Sequence, residues 1–481
     1  MKRTNLFMKI LDISVIIATG FLFLLQLCRM FSGGIDADDF EHLSSAWWMF
    51  NGYIPYRDFF QFHHPLLWYL IQPFFHWVDH PIKAFLFLRL FGGFCFLTNL
   101  WTIYLIVCSL KGSWKTTLYT FLVYLSYPML FGFYIEGRPD IPMMSCLLLG
   151  VYFLIRFLQD KKRLSLIFSY AFLFLSFAFL QKVVLFLFPF GIYQLYLLYK
   201  KKLLWKDIGL ALIFPVATLT GYAFYLYQAG ILWRYIELNW ILNLYYSRGY
   251  QMYHLTITIY DWIYHLLFAT FLLYGVWQEK GLKRQLLILL SCFVLLFFFI
   301  PKPYNYYYSL IAPFMAIVMG FGFKNIKEHF KIPLILFCLI GASHSFFTRL
   351  DFDRTPIIYP FMDYFKDLET LNEDKWIDYA APTIFSLYQS KPRQYYWFNK
   401  ATGALWDMHL FHRYQNPNWN DWIYQTKPSV IIGYRIMNYM HTIQNEKTNV
   451  LMQLDSDFLQ KYYLPPETKY KIYRLKQSSS E

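Results

Sequence analysis

Residues 34–67, GIDADDFEHLSSAWWMFNGYIPYRDFFQFHHPLL, set Asp36, Asp38, Asp39, Glu41 and Asp58 beside His42, His63 and His64, with Arg57 the one formal cation. Adjacent carboxylates near an apolar surface lose solvation and repel each other, so at least one holds its proton more tightly and can work as a base. The pair Asp38 and Asp39 fits that description best. Asp36 and Glu41 also read as acids that start and solvate a helix, where the positive end of its dipole favours them. Five of the twelve histidines (His42, His63, His64, His76 and His80) fall between residues 31 and 80. Carboxylate oxygens and imidazole nitrogens can hold a divalent metal. Their spacing matches no compact metal motif, so a metal stays one option.

Elements must position these groups. Over residues 36–52, Phe40, Leu43, Trp47 and Phe50 recur at spacings of three and four. That predicts a helix lying on a membrane surface with Asp38, Asp39, Glu41 and His42 clustered in its first turns. The stretch 62–78, FHHPLLWYLIQPFFHWV, predicts a second apolar segment that enters the outer leaflet without crossing it. Further polar residues stand at the ends of apolar runs. Residues 134–140, YIEGRPD, bring Glu136, Arg138 and Asp140; LQKVV brings Lys182; PKPYNYYY brings Lys302 and Tyr304. Asp261 and His265 lie one helical turn apart. A single cation at such a place can simply be snorkelling. Several together predict a cavity that holds a phosphate near the outer leaflet.

Of 481 residues, 57% are apolar, 23% aromatic and 15% charged, against about 25% charged in soluble domains. Apolar runs of membrane-crossing length, roughly 17–25 residues, recur along the chain. They predict about eleven spans, near 10–30, 83–108, 116–133, 141–158, 164–181, 183–199, 207–228, 259–277, 285–300, 306–323 and 332–348. The first is too long for a cleaved signal and lacks a small-residue cleavage site, so it reads as a retained anchor.

Lysines and arginines fall in alternate connectors, which the positive-inside rule assigns to the cytoplasm together with the N-terminus. Residues 1–348 hold 28 Lys+Arg against 15 Asp+Glu, and residues 349–481 hold 16 against 15. The net +14 therefore follows membrane orientation. A nucleic-acid partner would ask for a basic face or recognition module, and none is visible. An odd span count puts the loop 31–82 and residues 349–481 outside the cytoplasm of a cell-membrane protein. The tail reads as a small α/β domain, with strands in 428–436 and 469–476 and a helix in 449–463. None of the six cysteines lies in it.

The run from Asp38 to Leu67, followed by Arg138–Pro139–Asp140 and by Gln181–Lys182, resembles the bacterial family 39 membrane glycosyltransferases. Protein O-mannosyltransferases and aminoarabinose lipid A transferases share their GT-C fold. His64–Pro65–Leu66 is similar to their proline-rich PPL segment, with Pro65 alone where two prolines are common. The resemblance implies an all-α polytopic domain over 1–348 and an extracytoplasmic domain over 349–481. It implies a polyprenyl-phosphate sugar as donor and a hydroxyl of a cell-envelope glycan, lipid or protein as acceptor. Asp38 then matches the catalytic base and Asp39 its partner. Arg138, Lys182 and His64 are implied to hold the donor phosphate, and Glu41, His63, Asp140 and Tyr304 to bind substrate. Other readings stay open at this point: a transporter or flippase of lipid-linked glycans, a polymerase or ligase using a lipid diphosphate, or an envelope scaffold.

Overall fold

The computed structural model describes residues 2–32, 37–59, 61–78, 81–127, 137–244, 259–297, 310–349, 376–378, 427, 430–432, 456–465 and 472–476. The chain opens with α1 (Lys2–Ser32), α2 (Ala37–Phe50), α3 (Leu66–Ile71) and a 3-10 turn (Gln72–His76). Then come α4 (Pro81–Ser109), α5 (Trp114–Ser126), α6 (Asp140–Asp160), α7 (Arg163–Phe179), a second 3-10 turn (Gln181–Val183) and α8 (Val184–Tyr199). α9 (Trp205–Gln228) is followed by α10 (Leu232–Ile236), which runs into a π-helical turn (Glu237–Leu242). α11 (Ile259–Gln278), α12 (Gly281–Phe297), α13 (Ala312–Asn325) and α14 (Glu328–Arg349) complete the apolar series.

Each of the eleven predicted stretches overlaps a described helix, some of them shorter than the stretch predicted. Among the described residues, five segments are long and apolar enough to cross a membrane: Lys9–Cys28, Lys83–Ser109, Asp140–Asp160, Gln181–Tyr199 and Trp205–Gln228. The fifth turns Ile213, Phe214, Val216, Leu219 and Phe224 outward, which places apolar surface where lipid tails can cover it. The span expected over 164–181 stops at Phe179. Leu180 is extended there, and Lys182 sits in the following 3-10 turn.

The chain divides into two compact units, one formed by residues 1–34, 89–225 and 252–355, the other by 35–88, 226–251 and the described part of 356–481. In the first unit, α6 and α7 form an antiparallel hairpin closed by small residues. Ser169 Oγ donates to the Gly150 carbonyl (2.7 Å) and Ser176 Oγ to the Met143 carbonyl (2.8 Å). The seven-residue step on both helices keeps the two bonds on one seam. A Cβ on Gly150 would stand 2.8 Å from Leu173, so glycine lets the backbones approach. In an apolar medium close packing and interhelical hydrogen bonds replace the hydrophobic drive that water supplies. α13 is buried from Ala312 to Phe323 against α5, α11 and α12.

In the second unit, α2 departs from the expected surface helix. Leu43, Ala46, Trp48 and Met49 are buried, but so are Asp39, Glu41, His42, Ser44 and Ser45 on the polar side. α3 and the first 3-10 turn pack against it. Asp39 and Glu41 therefore do not solvate a free helix face. The tail carries a sheet in the order β1 (Trp376–Asp378), β2 (Val430–Ile432), β3 (Ile472–Arg474). β1 runs parallel to β2 with Trp376 opposite Val430, and β2 antiparallel to β3 with Val430 opposite Arg474. β2 and β3 lie within the two predicted strands, and α15 (Ser456–Tyr462) within the predicted helix.

Candidate active site

Asp38 and Asp39 occupy the first turn of α2, where a carboxylate also meets the positive end of the helix dipole. The placement of the Asp38 side chain lies outside the described residues. Asp39 is wholly buried and Glu41 nearly so. One turn further, His42 Nδ1 accepts a hydrogen bond from Trp68 Nε1 of α3 (3.0 Å). The His63 ring stands edge-on to that of His42 at 5.2 Å, and His63 Nδ1 lies 3.5 Å from Glu41 Oε1.

The loop after α2 is folded tightly to deliver these imidazoles. Tyr56 adopts φ 67° and donates its hydroxyl to the His63 carbonyl (2.6 Å). Gln61 Nε2 donates to Ser45 Oγ (2.8 Å), whose own proton goes to the Glu41 carbonyl (2.8 Å). Asp58 closes the turn by accepting from the Ile54 N–H (2.7 Å) and from Arg57 Nε (2.8 Å). The hydrogen bond from Arg57, with help from the Ile54 N–H, holds the Asp58 carboxyl below the usual carboxylate range.

A wall that the sequence reading missed closes the cluster. His64 is buried between the rings of Tyr235 and Trp240, each 5.9 Å away. Tyr235 also meets Tyr56 edge-on at 5.3 Å. Asn243 Nδ2 donates to the Phe62 carbonyl (2.9 Å) and to the Asn239 carbonyl (2.9 Å). Burial pushes the Tyr235 phenol up to about 12, so its hydroxyl keeps its proton at any working pH. Segment 226–251 has neither a charge cluster nor a long apolar run. The only sequence signal was its density of Trp, Tyr and Asn between two spans. π-turns recur at functional sites.

The first unit holds the cations. Asp140 opens α6 and offers Oδ2 to Arg138 Nε and Oδ1 to Lys182 Nζ, both at 3.5 Å. Arg138 and Asp140 are buried and Lys182 is half-buried. The two cations thus converge on a single carboxylate oxygen pair at the start of α6. Asp140, expected to bind substrate, thus faces the two expected phosphate ligands. His265 is also engaged in this unit, its Nε2 2.9 Å from the Tyr127 hydroxyl.

Asp36, His80, Glu136, Lys302 and Tyr304 lie outside the described residues, as does the side chain of Asp261. His76 is exposed. Among the described residues, no three His, Cys, Asp or Glu side chains converge on a point that could hold a metal ion.

Residues 63–224 match the family model described as dolichyl-phosphate-mannose-protein mannosyltransferase. A sequence comparison with curated proteins gives no match. In structure the chain is similar to ArnT from Cupriavidus metallidurans bound to undecaprenyl phosphate, with a TM-score of 0.65 and 10% identity over 97% of this chain and 98% of that one. It is similar to the apo state of the same protein at TM-score 0.63 and 10% identity, over 96% and 97% of the two chains. The match begins at His63 and runs through Arg138, Asp140 and Lys182, so it takes in the residues of the cation trio. Over residues 63–224 the chain matches that family model, and over nearly its whole length it has the fold of the ArnT structures.

Proposed function

We propose that the chain transfers a sugar from a polyprenyl-phosphate donor to a hydroxyl outside the cytoplasm, on a cell-envelope glycan, lipid or protein, by an inverting displacement. The observation that carries this reading is the trio Arg138–Asp140–Lys182, two cations brought together on one acid at the start of α6, inside the stretch that matches the mannosyltransferase model. The undecaprenyl phosphate named for the ArnT structure is a ligand of the chemistry such a trio would take.

In this reading Asp38 takes the proton from the acceptor hydroxyl as its oxygen attacks the anomeric carbon, and Asp39 shapes the loop and acceptor beside it. The bond from that carbon to the phosphate oxygen breaks, and the lipid phosphate leaves with its electron pair. Arg138, Lys182 and His64 stabilise the charge that grows there, so they favour the transition state over the bound donor. Asp140 keeps the two cations aimed. Glu41, His63 and Tyr304 contact the sugar or acceptor. A single carboxylate suffices, because no water has to be activated as in a glycosidase.

The test is to incubate the purified protein with a panel of polyprenyl-phosphate sugars and an envelope extract as acceptor, following donors by mass spectrometry. Loss of one donor with release of its lipid phosphate is expected, and Arg138→Ala should slow it. Sugar lipids that cross a vesicle bilayer intact, with no transfer, would identify a flippase instead. Consumption of lipid-diphosphate glycans alone would identify a polymerase or ligase.

A further inference from the structure

His42 looks, in sequence, like one more base in an acidic loop. Its surroundings say otherwise. The imidazole is buried, and its Nδ1 lies 3.0 Å from Trp68 Nε1. An indole N–H donates and never accepts. His42 Nδ1 must therefore offer its lone pair, and the single proton of the neutral ring sits on Nε2. Trp68 has no room to turn away. It is fully buried, with the rings of Tyr56 and Phe59 each 6.5 Å from its own.

We propose that Trp68 is a positioning residue that fixes His42 as a neutral Nε2–H donor, so that His42 gives a hydrogen bond to an oxygen of the site and does not take a proton. Protonating Nδ1 would expel the Trp68 N–H and leave a buried donor without its acceptor, which the folded cluster resists. Titratable groups beside His42 include Asp39 and Glu41 on its own helix and His63 on the following loop, whose ring lies 5.2 Å away. His63 Nδ1 has the Glu41 carboxylate 3.5 Å away. The assignment rests on the transferase reading in one respect only: it leaves the acceptor's proton to a carboxylate.

The experiment uses the full-length protein in lipid nanodiscs with nitrogen-15 histidine. Ring nitrogen shifts separate the two neutral tautomers from the charged ring, and loss of one signal set in His42→Asn assigns His42. The wild-type ring is expected to hold its proton on Nε2 and to stay neutral from about pH 8 down to about pH 5, past the ordinary histidine value of about 6.5. In Trp68→Phe both tautomers should appear, and the charged fraction at pH 6 should rise by about tenfold, the equivalent of about one pH unit. A wild-type His42 protonated on Nδ1, or titrating near 6.5, overturns the proposal. If Trp68→Phe fails to fold, the wild-type spectra alone decide. Sugar transfer measured on the same sample separates the two claims. The expected tautomer without transfer sinks the function and leaves Trp68 in its role; transfer with a freely titrating His42 does the reverse.

Discussion

A carboxylate taken out of water is costly unless a hydrogen bond or counter-charge meets it, and α2 places Asp39 and Glu41 fully inside the protein. Such burial is retained where the acid has work to do. If Asp38 is the base, Asp38→Asn keeps the shape and one accepting oxygen but cannot take the proton. General-base catalysis contributes about 10²–10⁴-fold, so sugar transfer should fall by that factor while donor binding survives. Both are measured on one purified sample, with Asp36→Asn as the active control. Wild-type transfer by Asp38→Asn alongside an inactive Asp39→Asn would move the base by one residue. At the cation trio, each charge-assisted contact to phosphate is worth about 1.5–3 kcal/mol. Arg138→Ala and Lys182→Ala should each lose about tenfold or more in donor use at unchanged expression. Unaltered donor kinetics in both would make them interface anchors. The types and spacing of these residues were legible in the sequence. That Asp140 bridges the two cations was not, because the bridge joins residues 138 and 182 through a chain reversal.

At the level of elements, hydropathy located five stretches that fold as helices long and apolar enough to cross a membrane, since apolar runs of bilayer length have few other uses in a folded chain. It misjudged α2, because a helix with one polar face resembles a surface helix whether that face meets water or other polar side chains. Segment 226–251 was missed for a related reason: a π-turn has no period of its own to find. The turn after α2 provides a direct test of how the imidazoles are delivered. Asp58 holds it through the Ile54 N–H and Arg57, and its pKa is lowered chiefly by the Arg57 hydrogen bond. A depressed carboxyl pKa contributes stability above the unfolded value of about 3.9 and loses it as pH falls through the folded value. Arg57 is half exposed, so water screens much of the pairing, and about 1 kcal/mol is a fair size for it. Asp58→Asn should therefore unfold at lower temperature than wild type near pH 7. The gap should close as pH drops below about 4, and a gap that persists at pH 3 would mean the carboxylate charge is irrelevant to the turn.

For the molecule as a whole, the decisive question is which side of the membrane each end occupies. Contacts within the first unit gather the basic connectors at one end. Lys115 Nζ lies 2.7 Å from Asp12 Oδ2, joining the start of α5 to the N-terminal half of α1. Gln159 Nε2 reaches the Ser109 carbonyl (2.5 Å), and Arg163 Nε reaches Asp207 Oδ1 (2.8 Å). Lys331 stands over the Tyr119 ring at 5.3 Å, bringing the start of α14 to the same end as α5. Charge bias places such an end in the cytoplasm. α14 then carries the chain away over its 22 residues, about 33 Å at the rise of an α-helix, which is enough to cross the hydrocarbon core. Residues from 349 onward should therefore lie outside the cytoplasm, on the side where a lipid-linked sugar would be used. A reporter active only in the cytosol, fused after Glu481, should stay silent, and the same reporter fused within residues 200–204 should be active. Strong cytosolic signal from the C-terminal fusion would break the odd span count and place the tail on the opposite side from the proposed chemistry.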